Sequence, residues 1–124
     1  MHRDETGARW LILQHRAHWS HHGDTWGVPG GARNHGETAE EAALREAHEE
    51  AHLDLGAIEV IRTHVDDHGG WSYETVLCHS DRLLDASPRG AETIDIRWIR
   101  ESELGEMTLH PGLATTLPLL LALA

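Results

Sequence analysis

The sequence predicts an α/β/α sandwich with a mixed β-sheet, folded as a single domain over residues 1–124. Three observations carry that prediction. Strand, loop, helix, hairpin, strand and helix patterns follow one another, an order that lays helices on a sheet. A helix start is signalled at Thr38 by Glu41 three residues on, a capping box. A leucine-rich segment, 111–124, opens on a proline suited to the first helical turn. At 124 residues with one cysteine, Cys78, the chain can bury a core without a disulfide.

Residues 9–14 (RWLILQ) form a short buried strand entered from a turn at 4–7. Residues 15–25 carry four histidines and no apolar periodicity, and form a loop. His18, His21 and His22 invite a zinc reading, but a second ligand pair and a nearby cysteine are lacking, so a solvated loop is expected. Pro29 withholds a donor, while Gly30 and Gly31 permit close approach, freeing carbonyls to face a hard cation. The helix from Thr38 runs through residues 39–51, with Leu44, Ala47 and Ala51 packing inward.

Residues 57–65 and 72–79 form an antiparallel hairpin around a turn at 66–70. Within it Cys78 is a core thiol, and Trp71 or Tyr73 either packs inward or stacks on a base. Residues 92–100 form the next strand, with Ile94, Ile96 and Trp98 on one face and Asp95, Arg97 and Ile99 on the other. A turn and a short helix fill 101–110. The final helix should kink or restart at Pro118, and its excess apolar surface would serve a homodimer.

Charge and composition narrow the function. A formal net charge of −11 makes a nucleic-acid polymer a poor partner. Residues 1–9 are too polar for a signal peptide, and the apolar run 117–124 is too short to span a bilayer; a cytoplasmic chain with no membrane partner is expected. A small phosphorylated substrate would bind where metals or arginines invert the field. On the helix, Glu46, Glu49 and Glu50 share one face within a rise of about 5.4 Å. Carboxylates so close repel, and such a face is best explained by cations upon it. Arg45, four residues before Glu49, is placed to pair with it.

Gly31, Glu37, Arg45, Glu46, Ala47, Glu49, Glu50 and Leu53 together match G-x5-E-x7-R-E-U-x-E-E-x-G-U, where U is apolar. The chain therefore resembles the Nudix hydrolases, with His52 in place of the final glycine; the resemblance implies that His52 takes the left-handed position ending the helix, at a cost of about 1 kcal/mol. That resemblance covers residues 9 to 124 and implies the same α/β/α sandwich. It also implies hydrolysis of a diphosphate bond in a nucleoside diphosphate linked to another group. The Gly30 carbonyl and Glu46, Glu49 and Glu50 would hold magnesium or manganese, with Arg45 in the catalytic set. Glu46 or Glu92 would be the general base, with Asp95 or Glu74 as substitutes for Glu92. Arg16 and Arg33 are the candidate phosphate contacts; Arg16 is equally readable as surface charge, and Arg33 as a charge that balances local acids. Nudix proteins commonly carry a strand before the 4–7 turn, and this chain is expected to lack it.

The resemblance narrows the substrate by elimination. Asp67 and His68 stand where many ADP-ribose hydrolases have a proline, and the tyrosine of diadenosine-polyphosphate hydrolases is also missing there. A (d)NTP pyrophosphohydrolase is the first expectation. An ADP-ribose, nucleotide-sugar or dinucleotide pyrophosphatase is the alternative. Two other classes are a non-catalytic nucleotide-binding Nudix domain, disfavoured by the intact acids, and a histidine-rich metal-binding module.

Overall fold

The structure is a computed structural model that describes residues 1–20, 22–31, 33–67, 69–70, 72–90 and 93–124. Its central strand is β2 (Arg9–Arg16), after β1 (His2–Arg3) and before β3 (Trp26–Gly27); helix α1 (Ala39–Ala51) follows. Then come β4 (Glu59–Asp67), β5 (Ser72–His79), β6 (Thr93–Arg100) and α2 (Pro111–Leu123).

β6 pairs antiparallel along one edge of β2, from Trp10↔Arg100 to Arg16↔Thr93, and β1 and β3 share the other edge. Because side chains alternate across a strand, this register sorts the core into two. Leu11, Leu13 and Ile99 fall on one face and are buried with Leu113, Leu117 and Leu120 of α2. Ile12, Ile96 and Trp98 fall on the other, packed with Ala47, Ala51 and Leu53 at the end of α1. The sheet thus lies between the helices, as the element order predicted. Both faces of β6 contribute buried isoleucine, although Ile94 near its start is 51% exposed.

The hairpin β4–β5 forms a second, two-stranded sheet with a bulge between Val60 and Arg62. It begins later than the sequence suggested because residues Leu55–Ala57 close a 3-10 turn capped by Asp54. β1 joins it to the main sheet. The Met1 nitrogen donates to the Cys78 carbonyl at 3.1 Å, and the Ser80 N–H to the Met1 carbonyl at 2.9 Å. Among the described residues the strand ladders are antiparallel, so the sheet is not mixed as expected; the parallel pairings are isolated bridges at His2↔Ser80 and Trp26↔Leu109.

β1 corrects the expectation that no strand precedes the first turn. Two residues suffice because Asp4 folds the turn tightly: its carboxylate accepts the Thr6 and Ala8 N–H groups and the Trp10 indole N–H. β2 also runs two residues further than predicted, since His15 and Arg16 still pair with β6 and His15 stacks on Trp26 at 4.8 Å. α2 corrects the expected restart at Pro118 by running continuously. Pro118 lies on its exposed side, where water can serve the carbonyl that proline leaves unbonded. Among the described residues, no helix is long and apolar enough to cross a membrane.

Candidate active site

Helix α1 starts where the sequence said. Thr38 accepts the Glu41 N–H at 3.1 Å and Glu41 accepts the Thr38 N–H at 3.0 Å, so two otherwise orphaned donors are satisfied. It ends at His52 in left-handed geometry, φ 59° and ψ 30°. Between these ends Arg45 organises the acidic side. Its Nε and Nη2 donate to both oxygens of Glu37 at 2.8 and 3.0 Å, a bidentate pair. Its Nη1 reaches Glu46 at 3.0 Å and Glu49 at 3.1 Å. Arg45 holds the Glu37 carboxyl below its usual range, and Glu37 in turn raises the Arg45 guanidinium. Glu37 also accepts the Asn34 N–H at 2.7 Å, so the loop before the helix is clasped to it.

Glu50 belongs to a second group. Its Oε2 accepts the Gly30 N–H and the Gln14 Nε2–H, each at 3.1 Å. Burial raises its affinity for a proton above that of an ordinary glutamate; the two hydrogen bonds oppose the shift and the adjacent Glu46 adds to it. Gly31 borders Glu46 so closely that a β-carbon there would lie 2.6 Å from Glu46 Oε1. The double glycine therefore has two local reasons: an N–H aimed at Glu50 and an absent side chain beside Glu46.

Among the predicted site residues, the fold gathers Gly30, Arg45, Glu46, Glu49 and Glu50 on and against α1. Glu49 is turned to Arg45 with its side chain 55% exposed, and among the described residues no three acid, imidazole or thiol groups converge on one point. Arg33 pairs with Glu74 at 2.5 Å, which commits both. Arg16 ends β2 at a bulge, its main chain bonded to Asp24 and Thr25. Asp95 is register-paired with His15, on the face of the sheet opposite Gln14, and bonds Arg97 at 2.6 Å; it is not brought to α1. Glu92, and His21 of the zinc reading, lie outside the described residues.

Sequence reasoning gave Glu37 no role and passed over Gln14. The signal for Gln14 was there: an amide closing the apolar run Trp10–Gln14.

This geometry can be set beside known proteins. The NUDIX domain family profile matches residues 2–120. The chain belongs to the Nudix family. It is 45% identical over 112 residues to a Mycobacterium tuberculosis (strain H37Rv) protein named "Putative 8-oxo-dGTP diphosphatase 3", covering 86% of this chain and 51% of that one. It is 37% identical over 110 residues to a Bifidobacterium longum "Nucleoside triphosphate pyrophosphatase/Nudix hydrolase fusion protein", covering 87% and 23%. The Nudix chain thus spans about half the length of the first relative and under a quarter of the second. The crystal structure of RenU, a Nudix hydrolase from M. smegmatis, superposes with a TM-score of 0.89 at 38% identity, covering 98% of this chain and 79% of that one.

Nudix family members typically require a divalent metal for catalysis. The residues present fit one. Glu46 and Glu50 bring carboxylates together with a mutual repulsion that a cation relieves, and oxygen donors suit hard ions. Gly30 and Gly31 also border a mainly apolar cavity of about 540 Å³, lined by α1, β5 and α2 with Arg33 and Glu74; Glu46 and Glu50 are not part of its lining.

Proposed function

We propose that this Nudix chain is a divalent-metal-dependent pyrophosphohydrolase of (deoxy)nucleoside triphosphates, releasing a nucleoside monophosphate and pyrophosphate. The observation that carries this reading is the Glu46–Glu50 pair beside the Gly30–Gly31 turn, with Arg45 fixing Glu46. Oxidised purine triphosphates are the substrates tried first, because the relative at 45% identity is named for 8-oxo-dGTP.

Glu46, Glu49, Glu50 and the Gly30 carbonyl would hold magnesium or manganese. The ion would neutralise phosphate charge and lower the pKa of a bound water. Glu49 would leave Arg45 to join it, a small move for an exposed side chain. Arg33 would exchange Glu74 for a phosphate oxygen, with Arg16 as a second contact. Water attacks phosphorus, its proton passes to a carboxylate, Glu46 or Glu92, and the α–β phosphoanhydride bond breaks as pyrophosphate leaves. A cavity of about 540 Å³ is of the size that takes small molecules and would receive the nucleoside end.

A panel of dGTP, 8-oxo-dGTP, ADP-ribose and diadenosine polyphosphates, assayed with Mg2+ or Mn2+, tests the proposal. Pyrophosphate release from a triphosphate is expected. Turnover of ADP-ribose or dinucleotides alone would replace the substrate class, and no turnover at all would refute the enzymatic reading.

A further inference from the structure

Gln14 is the one buried residue of β2 whose side chain is left half-satisfied among the described residues. It is 4% exposed, sits opposite Ile96 in the ladder, and ends a run of apolar residues. Its Nε2 donates to Glu50 Oε2 at 3.1 Å, sharing that oxygen with the Gly30 N–H. Its Oε1 is buried with no partner among the described residues. Exchanging the amide's oxygen and nitrogen would set a carbonyl oxygen against the carboxylate, so an ionised Glu50 fixes the amide as it stands. A buried acceptor without a donor lowers stability. Packing does not account for the residue either, since a leucine or methionine would fill the position without that cost.

We propose that Gln14 is a positioning residue of the metal site: its N–H and that of Gly30 hold Glu50 Oε2, leaving the other carboxylate oxygen to the ion, and its Oε1 accepts a hydrogen bond from water carried by that ion. Magnesium and manganese suit this role, because a small hard cation keeps part of its water shell when carboxylates bind it. The inference rests on the reading of Glu46, Glu49 and Glu50 as metal-binding. Groups that orient metal ligands in this way typically change metal affinity by about 10–100-fold when removed.

The test measures Mn2+ affinity by electron paramagnetic resonance and thermal stability with and without Mn2+, on wild type, Gln14→Met and Gln14→Asn. Methionine keeps the volume and removes both polar atoms; asparagine keeps the amide but cannot reach. Both variants are expected to bind Mn2+ about tenfold more weakly or worse. Metal-free Gln14→Met loses the orphaned acceptor but also the hydrogen bond to Glu50, so its melting temperature is the control and the Mn2+ affinities carry the test. Unchanged Mn2+ affinity in both variants would overturn the inference. A wild-type protein that binds no Mn2+ would instead overturn the site reading beneath it.

Discussion

Replacing Gly31 by alanine separates the site's chemistry from the fold's stability. Gly31 does not need glycine for its backbone conformation, since its φ is not in the left-handed region. It needs the missing side chain: an added β-carbon would stand 2.6 Å from Glu46 Oε1 and 2.7 Å from Cδ. Carbon and oxygen approach comfortably only near 3.5 Å, so the carboxylate must retreat by about 1 Å. Glu46 ends a flexible side chain, so the fold survives. The retreat weakens its 3.0 Å bond to Arg45, a partly exposed ion pair that contributes little to stability. The melting temperature should therefore fall only slightly. The chemistry loses more, since misplacing a reacting group by about 1 Å costs on the order of 100-fold in rate. Calorimetry and kcat/KM measured on the same preparation give both numbers. Wild-type kcat/KM in Gly31→Ala would refute the assignment of Glu46, whatever the melting temperature.

Other outcomes follow from the same structure. His52→Gly should gain about 1 kcal/mol in denaturant unfolding, because glycine adopts the left-handed conformation at no steric cost, and kcat should not change; a loss of stability would mean that the His48–His52 ring contact outweighs the strain. Leu13→Ala, at a position with no exposed surface, should cost about 3 kcal/mol through the cavity it leaves. Glu50 holds its proton more tightly folded than unfolded, so its contribution to metal-free stability is full below the ordinary carboxylate range and declines as pH rises through its raised value. Without metal, Glu50→Gln should therefore be more stable than wild type at neutral pH, with the difference closing in acid. A constant difference across pH in urea unfolding would contradict the burial of that carboxylate.

The sequence made the helical half of the site legible because helices obey local rules. Thr38 with Glu41 set the start, and the spacing of Arg45, Glu46, Glu49 and Glu50 placed them on one side, while the end at His52 came from the family pattern's glycine. What it hid was tertiary. Gln14 meets Glu50 from 36 residues away, and no periodicity in either segment records the encounter. Spacing alone did not separate Asp95 from the α1 face; the register His15↔Asp95 did. β1 escaped notice because a two-residue strand has no alternation to read. Its place comes from Asp4 folding the turn and from Met1 and Ser80 pairing across the molecule. The restart expected as one outcome at Pro118 fails for a related reason: a proline's effect depends on which helix face it occupies, and α2 has it facing water.

The measurement that bears most directly on the central claim is pyrophosphate release from 8-oxo-dGTP and dGTP as Mn2+ is titrated into wild type and Glu50→Gln. The account predicts saturable, metal-dependent release by wild type and almost none by Glu50→Gln at any Mn2+ concentration, although the variant folds. Full turnover by Glu50→Gln, or turnover by wild type that persists in a chelator, would contradict it.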